Sequence, residues 1–200
     1  MVNETNNIII HISGFPGSGK TTLGEKIQKL FNNKIIVYDT DNFIQHHTKE
    51  GKQLLKIDKN IRDGKKLSKE YKMLWKETIK NKIDDFISKY ENKIIVFVGS
   101  LDNFAPPNTI YNINADYKFV LNVPLAELMK RYYLRIYLTE QKASKKSSLE
   151  YWKKLSQNVY NITGSNDIIK QHEKYNLWHE RNNYEFLTDK QIIDKLNKIL

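Results

Sequence analysis

A glycine-rich stretch near the start of the chain, GFPGSGKT from Gly14 to Thr21, restricts the fold more than any other feature. It follows the run Ile8–Ile12, which is apolar except for His11 and is typical of a strand buried on both faces. It leads into Lys20–Phe31, where apolar residues recur at helical spacing. Three glycines and a proline at this junction predict a strand, a sharp turn and a helix in direct succession.

The turn matches the spacing G-x-x-x-x-G-K-[ST], in which Gly14, Gly19 and Lys20 occupy fixed positions and Thr21 is the final hydroxyl. Gly14, Gly17 and Gly19 are expected to allow backbone conformations that a side chain forbids, so that amide N–H groups converge on one anion. The helix that follows adds its N-terminal dipole at the same point. Lys20 is expected to reach the β- and γ-phosphates and Thr21 to bind Mg²⁺. The turn therefore predicts a site for a nucleoside triphosphate.

The rest of the chain alternates short apolar runs with longer stretches of helical period. Further strands are predicted at residues 35–38, 94–98, 117–123 and 184–187. Apolar residues between Tyr71 and Tyr90 predict one long helix, Pro124 suits the first turn of another, and Thr188 with Gln191 has capping-box spacing ahead of the last. Such alternation predicts an α/β fold, a three-layer sandwich with a parallel sheet between helices. Because no Pro/Gly/Ser-rich linker divides residues 1–200, we expect one domain.

Composition limits the classes of partner. The chain has no cysteine, which excludes disulfides and thiolate metal sites. It shows neither a signal-peptide pattern nor an apolar run long enough to cross a membrane, so we expect a cytoplasmic protein without a membrane partner. The formal net charge of +10 favours polyanions such as phosphates or nucleic acid. That charge comes almost wholly from lysine, in a chain that is also rich in Asn and Ile. Such enrichment is typical of a general compositional bias, so nucleic acid is the less favoured partner.

Two carboxylates follow the second predicted strand, Asp39 and Asp41 in the stretch YDTDNF. Ligands of a parallel sheet bind at the carboxyl ends of its strands, and residues two apart in an extended segment project to the same side. Both side chains are therefore expected to face the glycine-rich loop, one holding Mg²⁺ through water and the other accepting a proton from an attacking hydroxyl. The alternative that the sequence leaves open is that they cap the next helix.

Arginine is rare in the chain, yet Arg131 and Arg135 lie four residues apart on a predicted helix and so share one face. A guanidinium group stabilises the charge that spreads over a transferring phosphoryl group better than an ammonium does. The alternative is a solvated basic face. The lysine-rich segment 139–163 that follows is either a lid over the phosphates or a plain helical insertion.

In this order, the glycine-rich loop, the DTD stretch and the V-P-L-A-E-L-M-K-R-x-x-x-R stretch resemble the P-loop kinase family. The resemblance is to its small single-domain members: nucleoside monophosphate, shikimate and gluconate kinases and the kinase domain of polynucleotide 5′-hydroxyl kinase. It implies a five-stranded parallel sheet in the order 2-3-1-4-5 with a helical lid, and ATP and Mg²⁺ as cofactors. It also implies that Lys20 neutralises transferring charge. The residues that would bind ATP are Gly14, Pro16, Gly17, Ser18, Gly19, Lys20, Thr21 and Thr22.

The same resemblance implies roles for the other polar side chains. Thr21 and Asp39 would hold the magnesium ion, and Asp41 would occupy the acceptor-binding or base position of the shikimate-type D-[ST]-D motif. Arg131 and Arg135 would match lid arginines that act on the phosphates.

Arginine usage bears on the acceptor. A monophosphate acceptor requires arginines that grip its phosphate bidentately, and only Arg62 lies between Asp39 and Lys93. An alcohol acceptor requires a base, a role that Asp41 suits. We therefore predict an ATP-dependent kinase that acts on a small molecule (a nucleoside, nucleotide or other small alcohol). A polynucleotide 5′-hydroxyl kinase or end-processing enzyme, and an ATP-binding or hydrolysing switch without acceptor, stay open as alternatives. The sequence does not specify the oligomeric state.

Overall fold

The computed structural model describes residues 6–44, 69–99, 113–131, 134 and 167–200 of the chain. Within these residues, five strands pair side by side in one sheet, and every pairing is parallel. The strands are β1 (Ile8–Ser13), β2 (Ile35–Asp39), β3 (Ile94–Val98), β4 (Tyr117–Leu121) and β5 (Glu185–Leu187). Their order across the sheet is β2-β3-β1-β4-β5. The α/β class and the strand order implied by the resemblance are both confirmed.

Between and after these strands, the part of the chain that the structure describes contains α-helices and short 3-10 helices. They are α1 (Lys20–Phe31), α2 (Lys69–Ile87), α3 (125–131), α4 (Asp167–Arg181) and α5 (Asp189–Ile199), with 3-10 helices at Asn32–Lys34 and Thr40–Ile44. The capping box predicted for α5 is present. Pro124 lies just before α3, where its carbonyl accepts the first helical hydrogen bond from the Leu128 amide at 3.0 Å. As described, none of these helices is long and apolar enough to span a bilayer.

The sequence pattern did not predict α4, and its burial explains why. Its buried side chains include Tyr175 and His179, which both carry polar atoms. Two of its aliphatic residues, Ile169 and Leu177, are instead exposed. Because the buried face is marked by polar aromatic rings and aliphatic residues lie outside it, the helix lacks the usual amphipathic signature.

The sheet buries apolar residues on both faces, as the alternation of side chains along a strand requires. Ile10 and Ile12 of β1 pack with α1 and α5 on one face, and Ile9 packs on the other face with α2. A third cluster, which includes Phe15 of the glycine-rich loop, joins β4 to α3 and α4. Since β1 lies between β3 and β4, the loop that follows it is central in the sheet and is supported from both sides.

Candidate active site

The glycine-rich loop connects β1 to α1, and its glycines serve two different purposes. Gly17 (φ 81°) and Gly19 (φ 96°) adopt the left-handed conformation that side chains disfavour. Gly14 does not, so the sequence prediction of a forbidden conformation is wrong for this residue. A Cβ atom at Gly14 would instead lie 2.6 Å from Oγ of the buried Ser18, and close approach excludes a side chain there.

The start of α1 has the features of an anion site. Gly19 is the N-cap residue and makes no side-chain capping hydrogen bond, and the first turn of α1 contains no acidic residue. The first backbone N–H groups of a helix have no partners within the helix itself, and the helix dipole makes this end positive. The left-handed glycines and this helix start together have the geometry of the phosphate cradle that the motif predicts, and we call them the phosphate cradle below.

Lys20, the lysine of the motif, lies against the loop itself. Its Nζ donates to the carbonyl oxygens of Gly14, at 2.6 Å, and of Phe15, at 3.3 Å. The ammonium group thereby links the end of the loop back to its beginning. A flexible four-carbon side chain allows the same group to exchange these carbonyls for the oxygens of a bound phosphate.

Thr21 and Asp39 come together across the ends of α1 and β2. The Thr21 hydroxyl donates to Oδ2 of Asp39 at 3.1 Å, and Oδ1 of Asp39 accepts from the Asp41 amide at 3.0 Å. A hydroxyl beside a carboxylate fits Mg²⁺, which takes one or two protein oxygens and completes its shell with water and substrate phosphates. Among the residues that the structure describes, no three His, Cys, Asp or Glu side chains cluster to form a denser metal site.

Asp41 lies in the 3-10 helix Thr40–Ile44 and is exposed. The expectation that Asp39 and Asp41 share an extended segment is therefore wrong, because β2 ends at Asp39 and the chain turns there. The Asp39 carboxylate accepts from the Asp41 amide at the start of this turn. Asp39 therefore caps the 3-10 helix, as the alternative interpretation proposed, and it also contacts Thr21. The role of Asp41 stays a prediction.

Arg131 reaches the loop from α3. Its Nη1 donates to the Ser18 carbonyl at 2.7 Å, while its Nε donates to Glu127 at 3.0 Å. The structure thus brings one predicted arginine to the phosphate cradle. Arg135, Arg62 and the segment 139–163 lie outside the described residues.

A cleft of about 660 Å³ opens beside the loop. Lys26 of α1 donates to Asp189 of α5 at 3.2 Å along its lining, and this hydrogen bond holds the pKa of Asp189 below its ordinary value. The lining comprises Gly17, Ser18, Gly19, Thr22, Leu23, Lys26, Leu121, Asn122, Val123, Pro124, Glu127, Arg131, Thr188 and Asp189. The cleft is therefore continuous with the phosphate cradle, and its volume lies in the range typical of small-molecule sites.

Residues of α4 contact the loop and escaped the sequence prediction. The Tyr175 hydroxyl accepts from the Gly14 amide at 2.9 Å, and the His172 ring lies edge-on to Phe15 with centroids 5.2 Å apart. Burial lowers the pKa of His172. One signal was available in the sequence: Ser13 is a polar residue at the end of a buried strand, and buried hydroxyls require partners.

The fold and the loop together define the class, a P-loop nucleotide-binding protein with the sheet order of a P-loop kinase. Residues 10–153 match the family described as AAA domain, and the chain belongs to that family. No curated protein matches the chain significantly.

Two solved structures of kinases align with this chain. A shikimate kinase from Bacteroides thetaiotaomicron aligns with a TM-score of 0.51 and 19% identity over 96% of this chain and 97% of its own. A gluconokinase from Sinorhizobium meliloti 1021 aligns with a TM-score of 0.37 and 16% identity over 79% of this chain and 78% of its own. The first alignment covers nearly the whole length of both proteins and shows that they share a fold.

Proposed function

We propose that the chain is an ATP-dependent kinase that transfers the γ-phosphoryl group to a hydroxyl of a small molecule. The contact between Thr21 and Asp39, 3.1 Å apart at the mouth of the phosphate cradle, carries this proposal. It sets a magnesium-type oxygen pair next to Lys20, so that the cation and the lysine would act on the same phosphates. The shared fold with a shikimate kinase supports this class of reaction.

The donor nucleotide would bind along the loop and the cleft. The phosphates would take the amide groups at the start of α1, and the nucleoside would enter the cleft between the residues after β4 and those that open α5. Bound Mg²⁺ supplies charge neutralisation to the β- and γ-phosphates. Lys20 would leave the carbonyls of Gly14 and Phe15 to bind the same groups, and Arg131 lies close enough to the loop to join them.

The acceptor would bind on the side of the loop where β2 ends. Asp39 accepts from the Thr21 hydroxyl and the Asp41 amide, and Asp41 itself is exposed in the turn that follows β2. The contact of Asp39 with Thr21 supports a role for Asp39 at the metal, and the exposure of Asp41 to an incoming acceptor supports a role for its carboxylate as the base that accepts the hydroxyl proton. The acceptor is then a small alcohol or nucleoside in preference to a monophosphate.

The test measures ADP release from Mg·ATP with a panel of acceptors. The panel contains nucleosides, nucleoside monophosphates, shikimate-like alcohols and 5′-hydroxyl oligonucleotides, each with a control that lacks acceptor. We expect one class of small alcohol to raise ADP release well above the control. Release that is equal with and without every acceptor would favour a switch that hydrolyses ATP, and release stimulated only by oligonucleotides would favour a polynucleotide kinase.

A further inference from the structure

A chain of buried hydrogen bonds connects α4 to the first residue of the loop. The Tyr175 hydroxyl lies 2.9 Å from the Gly14 amide and 2.7 Å from Oγ of Ser13. That Oγ lies 2.9 Å from Nε2 of His179, whose Nδ1 lies 2.8 Å from the Tyr175 carbonyl oxygen. Ser13 and His179 are completely buried, and Tyr175 is 8% exposed.

The partners fix the direction of this chain. A carbonyl oxygen only accepts, so Nδ1 of His179 donates to the Tyr175 carbonyl, and in the tautomer that carries its ring hydrogen there Nε2 accepts from the Ser13 hydroxyl. Having donated its one hydrogen, Ser13 accepts from the Tyr175 hydroxyl. The Tyr175 oxygen then presents a lone pair to the Gly14 N–H. In this order, every bond has one donor and one acceptor.

Gly14 is consequently held from two sides. Its amide donates to Tyr175, and its carbonyl accepts from Nζ of Lys20. The proposed function requires one of these two contacts to break and leaves the other in place. When Lys20 turns to the phosphates, it gives up the Gly14 carbonyl, whereas the contact with Tyr175 lies in the buried chain and does not need to change.

We propose that Tyr175 is a positioning residue that holds the beginning of the phosphate-binding loop in place when Lys20 releases it. This inference rests on the proposed function, because it requires nucleotide to bind at the loop. It predicts that the Tyr175 hydroxyl contributes more to the nucleotide-bound protein than to the free protein. Loss of the hydroxyl therefore weakens nucleotide binding beyond any general loss of stability.

The test compares Tyr175→Phe with Tyr184→Phe. Tyr184 offers a matched control because it is also buried and its hydroxyl bonds to a buried histidine, Nδ1 of His11, at 2.6 Å. The Tyr184 ring belongs to the same apolar cluster as the Tyr175 ring. Each Tyr→Phe substitution keeps the aromatic ring and removes one buried hydroxyl. His11 lies within β1, three residues before Gly14, and not in the loop.

The measurements are the dissociation constant of Mg·ATP by calorimetric titration and the Tm without nucleotide. We expect both variants to lower the Tm by similar amounts and Tyr175→Phe alone to weaken Mg·ATP binding, by about fivefold or more. Amide hydrogen exchange at Gly14, followed with nucleotide bound, is expected to be faster in Tyr175→Phe than in the wild type. If Tyr175→Phe does not fold, Ser13→Ala interrupts the same chain one bond away and is expected to weaken binding in the same direction.

Equal Mg·ATP affinities for the wild type, Tyr175→Phe and Ser13→Ala would overturn this inference and leave the proposed function intact. The same holds if Tyr184→Phe weakens binding as much as Tyr175→Phe, because the effect would then follow from stability. Failure of the wild-type chain to bind Mg·ATP would overturn the proposed function and this inference together.

Discussion

At the residue scale, the Lys20 side chain has two roles, one in the loop itself and one in the proposed reaction. In the structure its ammonium group closes the loop by binding the carbonyls of Gly14 and Phe15. In the proposed reaction the same group neutralises charge on the transferring phosphoryl group. Because these two carbonyls belong to the loop backbone and Lys20 belongs to none of the three apolar clusters, we expect its loss to affect the ligand more than the fold.

We expect Lys20→Ala to lower phosphoryl transfer by about a hundredfold or more, the scale typical of removing one preorganised group that stabilises transition-state charge. The control is Lys29→Ala, which removes the same charge from an exposed position on α1. ADP release gives the activity, and thermal unfolding reports whether the fold survives. Near-normal turnover in Lys20→Ala would mean that the loop does not catalyse phosphoryl transfer.

The two carboxylates after β2 are expected to differ when each is replaced by its amide. Asp41→Asn should lower kcat sharply with little change in Mg·ATP binding, because it removes a base and keeps the shape of the side chain. Asp39→Asn should instead raise the Mg²⁺ concentration needed for half-maximal activity, since the amide is a poorer ligand than the carboxylate. Mild and identical effects of both substitutions would favour a purely structural role in the turn.

At the scale of elements, helix starts determine where the site residues lie. The Pro124 carbonyl accepts the first bond of α3, and Arg131 of this helix donates to the Ser18 carbonyl. The box of Thr188 and Gln191 starts α5 beside the cleft, where the Thr188 amide donates to Oε1 of Gln191 at 2.9 Å. Local capping thus positions groups that belong to the ligand site.

This box provides a prediction about stability. Thr188→Ala should lower the free energy of unfolding by about 1 kcal/mol, because the side chain that accepts from the Gln191 amide is lost. Thr188→Ser retains a hydroxyl and should stay within a few tenths of a kcal/mol of the wild type, roughly the difference between good N-cap residues. Urea unfolding without nucleotide measures both. A loss of equal size in the serine variant would show that the methyl group, and not the cap, stabilises α5.

The elements that the sequence predicted best are those with a local cause. The observed bounds of α1 and β3 equal the predicted ranges Lys20–Phe31 and 94–98, because a glycine-rich turn starts the helix and a run of five apolar residues forms the strand. β4 ends at Leu121, two residues before the predicted end, and the Pro124 carbonyl three residues later already accepts the first bond of α3. Strand order depends on which strands meet in space, and it came only from the resemblance.

The parts of the site that sequence reasoning missed have non-local causes. Tyr175 contacts Gly14 across 161 residues, and no periodicity of α4 marks that contact. Asp39 and Asp41 were expected to share an extended segment, but the 3-10 turn at Thr40 separates them. By contrast, Asp39 was expected to face the glycine-rich loop because ligands bind at the carboxyl ends of parallel strands, and its contact with Thr21 agrees with that expectation. Its role as a magnesium ligand stays a prediction.

At the scale of the whole molecule, the formal charge of +10 makes salt dependence a test that separates a small-molecule kinase from an enzyme of nucleic acids. Lysine-rich charge binds polyanions through counterion release, which gives weak affinity that falls steeply with salt and ignores sequence. A small neutral acceptor releases few counterions. We therefore expect kcat/KM for the acceptor to change by less than about threefold between 50 and 200 mM salt, a range over which a protein making several phosphate contacts loses about a thousandfold in affinity.

The measurement is ADP release across this salt range, with and without an excess of a single-stranded oligonucleotide that carries a 5′-hydroxyl group. Turnover of the small acceptor should persist at 200 mM salt with the oligonucleotide present. At this ionic strength the positive charge of the protein is screened and no longer binds the oligonucleotide near the site. Binding of the same oligonucleotide without ATP is followed in parallel. Steep salt dependence of turnover, together with tight oligonucleotide binding without ATP and phosphate incorporated at its 5′ end, would instead assign the acceptor to nucleic acid.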